Sequence, residues 1–161
     1  MLDRLLLPLD GSAAAEEAIG ALHPLVAGTG AVVYLLALRP PVRELARRAR
    51  GVVYLDTLLR DETAVWRDYL VRKGSELAYS GVVVRHEVRF GDPLAETLAA
   101  ARHHNARLIV VVAPAQAWWE RLLRPSLAQR LLAQAPVPVL TVPVGQPLDG
   151  AAVLRYRSLP A

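Results

Sequence analysis

Leu5 to Leu9 is an unbroken apolar run ending in Asp10-Gly11-Ser12, the form of a buried strand entering a turn. Ala15, Ala18, Leu22, Leu25 and Val26 then recur at helical spacing. Glu16 and Glu17 lie in the first turn, where carboxylates favour the positive end of the helix dipole. Gly28-Thr29-Gly30 closes that helix. Ala31 to Leu38, β-branched and aromatic and too short for an independent helix, reads as a second buried strand. Pro40-Pro41 stops it, and Val42 to Gly51 is an arginine-rich connection to which the pattern assigns no element.

From about Thr57 to Ser80, Leu59, Trp66, Leu70 and Leu77 recur at helical intervals with charges between them, which predicts a long amphipathic helix ending at Gly81. Val82 to Phe90 sets Val84, His86, Val88 and Phe90 against Arg85, Glu87 and Arg89. That alternation describes a strand with one wetter face, near a sheet edge. Gly91-Asp92-Pro93 is a sharp helix start: Asp92 can cap, and Pro93 lacks only an N–H that the first turn would orphan anyway. Leu94, Leu98 and Ala101 then face inward. Leu108 to Val112 is a fully apolar strand, Ser126 to Ala135 a helix, and Val137 to Val144 a last apolar run.

Strand then helix, repeated four times and closed by a strand, predicts an α/β fold: one doubly wound domain with a five-stranded parallel sheet and helices on both faces. The first and fourth runs are the most uniformly apolar, as doubly covered strands must be. With right-handed crossovers this predicts the order 3-2-1-4-5 and a crevice at the ends of the first and fourth strands. The domain is expected over residues 1–145, with a turn-rich tail from Gln146 to Ala161.

At 161 residues, 53% hydrophobic and 21% charged, the composition excludes disorder and suits one good core. There is no cysteine, which removes disulfides, thiolate metal sites and cysteine nucleophiles together. Asp3, Arg4 and Asp10 interrupt the first ten residues, so no export leader is expected. The two long uncharged stretches, Ala18 to Leu38 and Leu131 to Leu148, are broken by Gly and Pro before reaching the ~20 apolar residues of a membrane span. A cytoplasmic protein is expected. The net charge is +4, with Lys73 the only lysine, and a basic total of this size needs a localised patch before it implies an anionic partner.

Ser126-Leu127-Ala128-Gln129 has the form of a capping box, and Ser126 could also touch a phosphate at a helix N-terminus. Asp10 ends the first strand in the crevice where open α/β sheets bind ligands, or else forms an Asx-turn for the following helix. His103-His104 reads as a solvated helix end rather than a metal site, because adjacent helical positions do not face each other. Arg43, Arg47, Arg48 and Arg50 read as a solvated face. An anion- or RNA-binding surface would require that segment to converge with Arg121 and Arg124. Trp66, Trp118 and Trp119 lack the interleaved basic residues of a nucleic-acid stacking platform. No serine stands in a nucleophile elbow, so no catalytic residue is assigned.

Leu5-Leu-Leu-Pro-Leu-Asp-Gly-Ser12, Gly91-Asp-Pro93, Leu108-Ile-Val-Val111 and Pro136-Val-Pro-Val-Leu140 come in an order and at separations that resemble the universal stress protein family, over about Leu2 to Val144. The resemblance implies a Rossmann-like sheet, a homodimer, and in one subgroup ATP held by a G-x2-G-x9-G-[S/T] loop after the fourth strand. Here Val112, Ala115 and Pro125 stand at the three glycine positions, and only Ser126 is retained. Such a loop holds phosphates with backbone N–H groups that come close only without a Cβ. Pro114 and Pro125 have no N–H to give, and Val112 is ill suited to positive φ.

The degenerate pocket that the resemblance implies comprises Pro8, Asp10, Leu38, Val112, Ala115, Ser126 and Leu127. No cofactor is expected, with ATP as the alternative. The expected partners are a second copy through Val137 to Val144 and a further protein, with neither membrane nor nucleic acid. Two functions follow: a dimeric regulatory protein acting by binding, or an adenine-nucleotide protein or slow ATPase holding its ligand through Asp10, the backbone at Leu38 and Ser126.

Overall fold

A computed structural model of the chain describes residues 3–48, 54–79, 81–113 and 126–143. Its elements run β1 (Arg4–Leu9), α1 (Ala13–Val26), β2 (Val32–Arg39), α2 (Val42–Arg48), α3 (Leu55–Ala78), β3 (Val83–Phe90), α4 (Pro93–His103), β4 (Leu108–Ala113), α5 (Leu127–Gln134) and β5 (Val139–Pro143). All five strands are parallel in the order β3-β2-β1-β4-β5, as the apolar patterning predicts.

Alternation along the strands divides the core in two. Leu5, Leu7 and Leu9 of β1 and Val33, Leu35 and Ala37 of β2 face α1 and α3, where they meet Ile19, Leu22, Leu70 and Leu77. Leu6, Leu36, Leu38, Ile109 and Val111 face α4 and α5, against Leu94, Ala100 and Leu131. β3 pairs only with β2. Its wetter face, Arg85, Glu87 and Arg89, lies in register with Tyr34, Leu36 and Leu38. β5 forms the other edge of the described sheet. Val139, Leu140 and Val142 are already buried by their own chain, so a second copy there would meet mainly backbone and the flanking prolines.

The helix starts follow local chemistry. The Ala15 N–H donates to Ser12 Oγ (3.2 Å), and the Ala95 N–H donates to Asp92 Oδ2 (3.0 Å) with Pro93 in the first turn. The Ala95 hydrogen bond, then the Arg130 guanidinium, hold the Asp92 carboxyl below its usual range. Two expectations are corrected. Leu25 is 48% exposed, and Ile19 shares the buried stripe with Ala18, Leu22 and Val26. Leu25 is one position short of Val26, hence about 100° round the helix. The unassigned segment after Pro41 is in fact helical as α2, with Leu45 as its buried anchor and Arg43 and Arg47 exposed.

α3 packs closely on the sheet because Gly74 lets it. A Cβ there would lie 2.8 Å from His86 Nε2 and 2.9 Å from Val84 Cγ1. The imidazole is thereby half-buried, with Nε2 shut off from solvent and unpartnered among the described residues, and burial, then Arg67, lower its pKa from 6.5. Below pH 6.5 the unfolded chain binds a proton that the native His86 refuses, so stability falls with falling pH from that point. Urea unfolding at pH 7.5 and 5.5 should show this loss. His86→Leu should flatten the dependence, and an unchanged slope would assign it to other groups.

Candidate functional site

The β1–β2 ladder runs the whole length of β1, from Arg4 opposite Val32 to Leu9 opposite Ala37. The β1–β4 ladder reaches only Leu5 and Leu6, opposite Leu108 and Ile109. Beyond Leu6 the two central strands part, and Pro8, which has no N–H to offer a neighbour, stands just past the divergence. The parting opens a cleft at the carboxyl ends of β1 and β4, the switch point where chain order reverses across the sheet.

Pro8, Asp10, Leu38, Val112, Ser126 and Leu127 all line this cleft, with Ser12 and the first residues of α1, and its volume is about 170 Å3. Six of the seven residues named from the sequence thus come together. The seventh, Ala115, lies outside the described residues, as do Pro114, Trp118, Trp119, Arg121, Arg124, Pro125, Arg50 and the tail from Gln146.

Two helices begin at the cleft. Asp10 Oδ1 accepts from the Ser12 N–H (2.9 Å), an Asx-turn that leaves its second carboxylate oxygen facing solvent. Ser126 Oγ accepts from the Gln129 N–H (3.3 Å), and Gln129 Oε1 accepts from the Ser126 N–H (3.0 Å): the capping box is complete. Ser126→Ala should therefore cost about 1 kcal/mol in urea unfolding, and Ser126→Asp, which can still cap, much less. Equal losses from both would mean that the hydroxyl does something else.

Behind the β1 turn stands a group the sequence reading did not find. Gly11, at φ +82°, lies against the ring of Trp66, and a Cβ on it would sit 2.6 Å from Trp66 Cη2. The Arg39 guanidinium stacks over that indole at 4.2 Å and pairs with Glu62 (3.3 Å). Tyr69 meets Trp66 edge to face and donates to Glu16 Oε1 (3.1 Å), while Lys73 donates to Glu16 Oε2 (2.6 Å). The Lys73 hydrogen bond, chiefly, keeps the Glu16 carboxyl below its usual range, and burial pushes the Tyr69 phenol up. α3 thus buttresses the turn that carries Asp10. A glycine after the strand-end Asp was the available signal, though not its neighbour.

The His103-His104 doublet also departs from expectation. His104 is only 18% exposed: Nε2 lies 2.6 Å from Glu87 Oε2, and the ring stacks on Tyr34 at 4.1 Å. The two imidazoles do meet, edge to face at 4.7 Å, because His104 is the C-cap, where helical spacing no longer applies. Burial works against charge on Glu87, but the His104 and Arg89 hydrogen bonds outweigh it and hold the carboxyl low. Among the described residues no three His, Cys, Asp or Glu side chains group to hold a metal, and no helix is long and apolar enough to cross a membrane.

Residues 1–143 match the model of the universal stress protein family. No curated protein matches the chain at the sequence level. Among solved structures, a hypothetical protein MJ0577 superposes with TM-score 0.71 at 21% identity, covering 89% of this chain and 96% of that one. Universal stress protein UspA from Lactobacillus plantarum gives 0.66 at 20%, covering 88% and 97%. A universal stress protein in complex with cAMP gives 0.63 at 16%, covering 88% and 96%. At these identities the likeness is one of fold.

Proposed function

Because the chain belongs to the universal stress protein family, we propose that it is a dimeric stress-response regulator that acts by binding and has lost a tight hold on ATP. The observation that carries this reading is the set of residues that the sequence puts at the family's glycine positions. Val112, Ala115 and Pro125 stand where the family's ATP loop has glycine, so close backbone approach is blocked at two positions and an N–H is missing at the third. The cleft volume of about 170 Å3 is also below the ~300 Å3 at which ligand pockets begin. The β5 edge, unpaired among the described residues, supports a homodimer through Val137 to Val144, with the second strand adding to that edge under a two-fold operator. A cytoplasmic setting fits the absence of cysteine.

A second reading keeps an adenine nucleotide in the cleft, with or without slow hydrolysis. It is favoured by the convergence of Asp10, Leu38 and Ser126 and by the relative of like fold that holds cAMP, a nucleotide with a single phosphate. Calorimetric titration separates the two. Under the first reading ATP binds no tighter than AMP, since its outer phosphates meet no backbone donors. Sub-micromolar ATP affinity would overturn it in favour of the second. Sedimentation of the same sample should give a dimer at micromolar concentration, and a monomer would remove the β5 interface.

A further inference from the structure

At the opposite pole of the sheet, the start of β1, the end of α4 and the approach to β5 border a separate, open hollow of about 590 Å3, within the ~300–1,000 Å3 range of small-ligand sites. At the ~3.3 Å rise of a strand, the length of β1 puts roughly 17 Å between it and the cleft at Asp10. The residues that line the hollow include Arg4, Arg102 and Arg107, with Asn105, Asp3 and the apolar Val137. Three of these residues are cationic and one is anionic.

The arginines are also available. Arg102 and Arg107 make no ion pair or side-chain hydrogen bond with any described residue. Arg4 spends one Nη1 donor on the His104 carbonyl at 3.5 Å, which draws it across the end of α4. Three other carbonyls at the end of α4 are engaged by backbone N–H groups. Ala100, Ala101 and Arg102 already accept from the N–H groups of His104, Ala106 and Asn105. Asn105, in the left-handed conformation at φ +51°, turns the chain there so that Arg107 follows directly and donates its N–H to the Arg4 carbonyl at 2.8 Å. Segments distant in sequence are thus held together by backbone, with their charged ends left over.

We propose that this hollow is a second binding site, for a small polyvalent anion of the phosphate class. Guanidinium groups match tetrahedral oxyanions with paired donors, and two unpaired ones with a third only partly engaged beside a concave volume favour a compact multiply charged ligand over a flat protein face. The apolar wall at Val137 leaves room for an organic portion.

Calorimetric titration of the full chain with inorganic pyrophosphate tests this, with amide NMR shifts followed on the same sample. Saturable binding of one pyrophosphate per chain is expected, with shifts clustered at Asp3, Arg4 and residues 102–107. Arg102→Gln with Arg107→Gln, both exposed positions, should weaken it at least about tenfold while leaving AMP titration unchanged. Unchanged affinity in that variant, or shifts centred on Asp10 and Ser126, would overturn the proposal. So would a chain that ignores pyrophosphate but binds polyglutamate, which would make the arginines a protein-docking surface. Because the NMR map is read on the unaltered chain, the result stands whether or not the double variant folds. It is also independent of what binds beside Asp10.

Discussion

Val112→Gly, Ala115→Gly and Pro125→Gly, introduced together, should tighten ATP binding by about a hundredfold while leaving AMP nearly unaffected. Pro125→Gly restores an amide donor, and the other two changes remove the side chains that keep the backbone from a phosphate. A hydrogen bond to a charged group is worth about 1.5–3 kcal/mol, so the restored donor at residue 125 and one further amide brought within reach supply about 3 kcal/mol or more. At about 1.4 kcal/mol per tenfold, that is two orders of magnitude. The ratio of the two nucleotides is the sensitive quantity. A gain shared equally by ATP and AMP would show that the glycines act by loosening the loop, and the account of lost phosphate binding would fail.

Gly11→Ala should be the most damaging single methyl in the described structure, at about 2–5 kcal/mol. Two costs combine there. A non-glycine residue held at positive φ loses about 1–2 kcal/mol, and a Cβ 2.6 Å from the Trp66 ring overpacks the contact by about 1–3 kcal/mol. The costs can be separated by a double-mutant cycle with Trp66→Ala, which empties the space the methyl needs but leaves the backbone as it was. In that background Gly11→Ala should cost only the conformational part. If the full loss persists in urea unfolding, the indole is no obstacle and the buttress is misassigned.

Much of this architecture was legible because it rests on chemistry that a few neighbouring residues carry. Asp92-Pro93 and Ser126 to Gln129 announce helix starts through bonds closed within four residues, and the apolar run at Leu5 to Leu9 needs nothing distant to mark a central strand. Asp10 followed from its place at a strand end, whereas the other cleft residues came from the family resemblance, and six of the seven line one hollow. The features that escaped depend on partners far along the chain. α2 has a single buried leucine, too little to show a period. His104 looked solvated until Glu87, on an edge strand, and Tyr34 supplied its surroundings. Gly74 is an unremarked glycine in a helix until His86 and Val84 come up against it. Pro8 was legible in principle: a proline in a strand otherwise central is a sign that the ladder gives way beside it.

That break has a consequence for how the molecule opens. Hydrogen-bonded seams in a sheet set the boundaries of the units that exchange their amides together, and the seam between β1 and β4 is far shorter than the one between β1 and β2. Hydrogen exchange should divide the protein there into β1, β2 and β3 with their helices on one side and β4, β5 and α5 on the other. Amides on the β4 side should be released at a lower free energy. A molecule lodged at the carboxyl ends of β1 and β4 would then bridge two cooperative units and slow exchange across both, so that occupancy is written into the stability of a whole half of the fold.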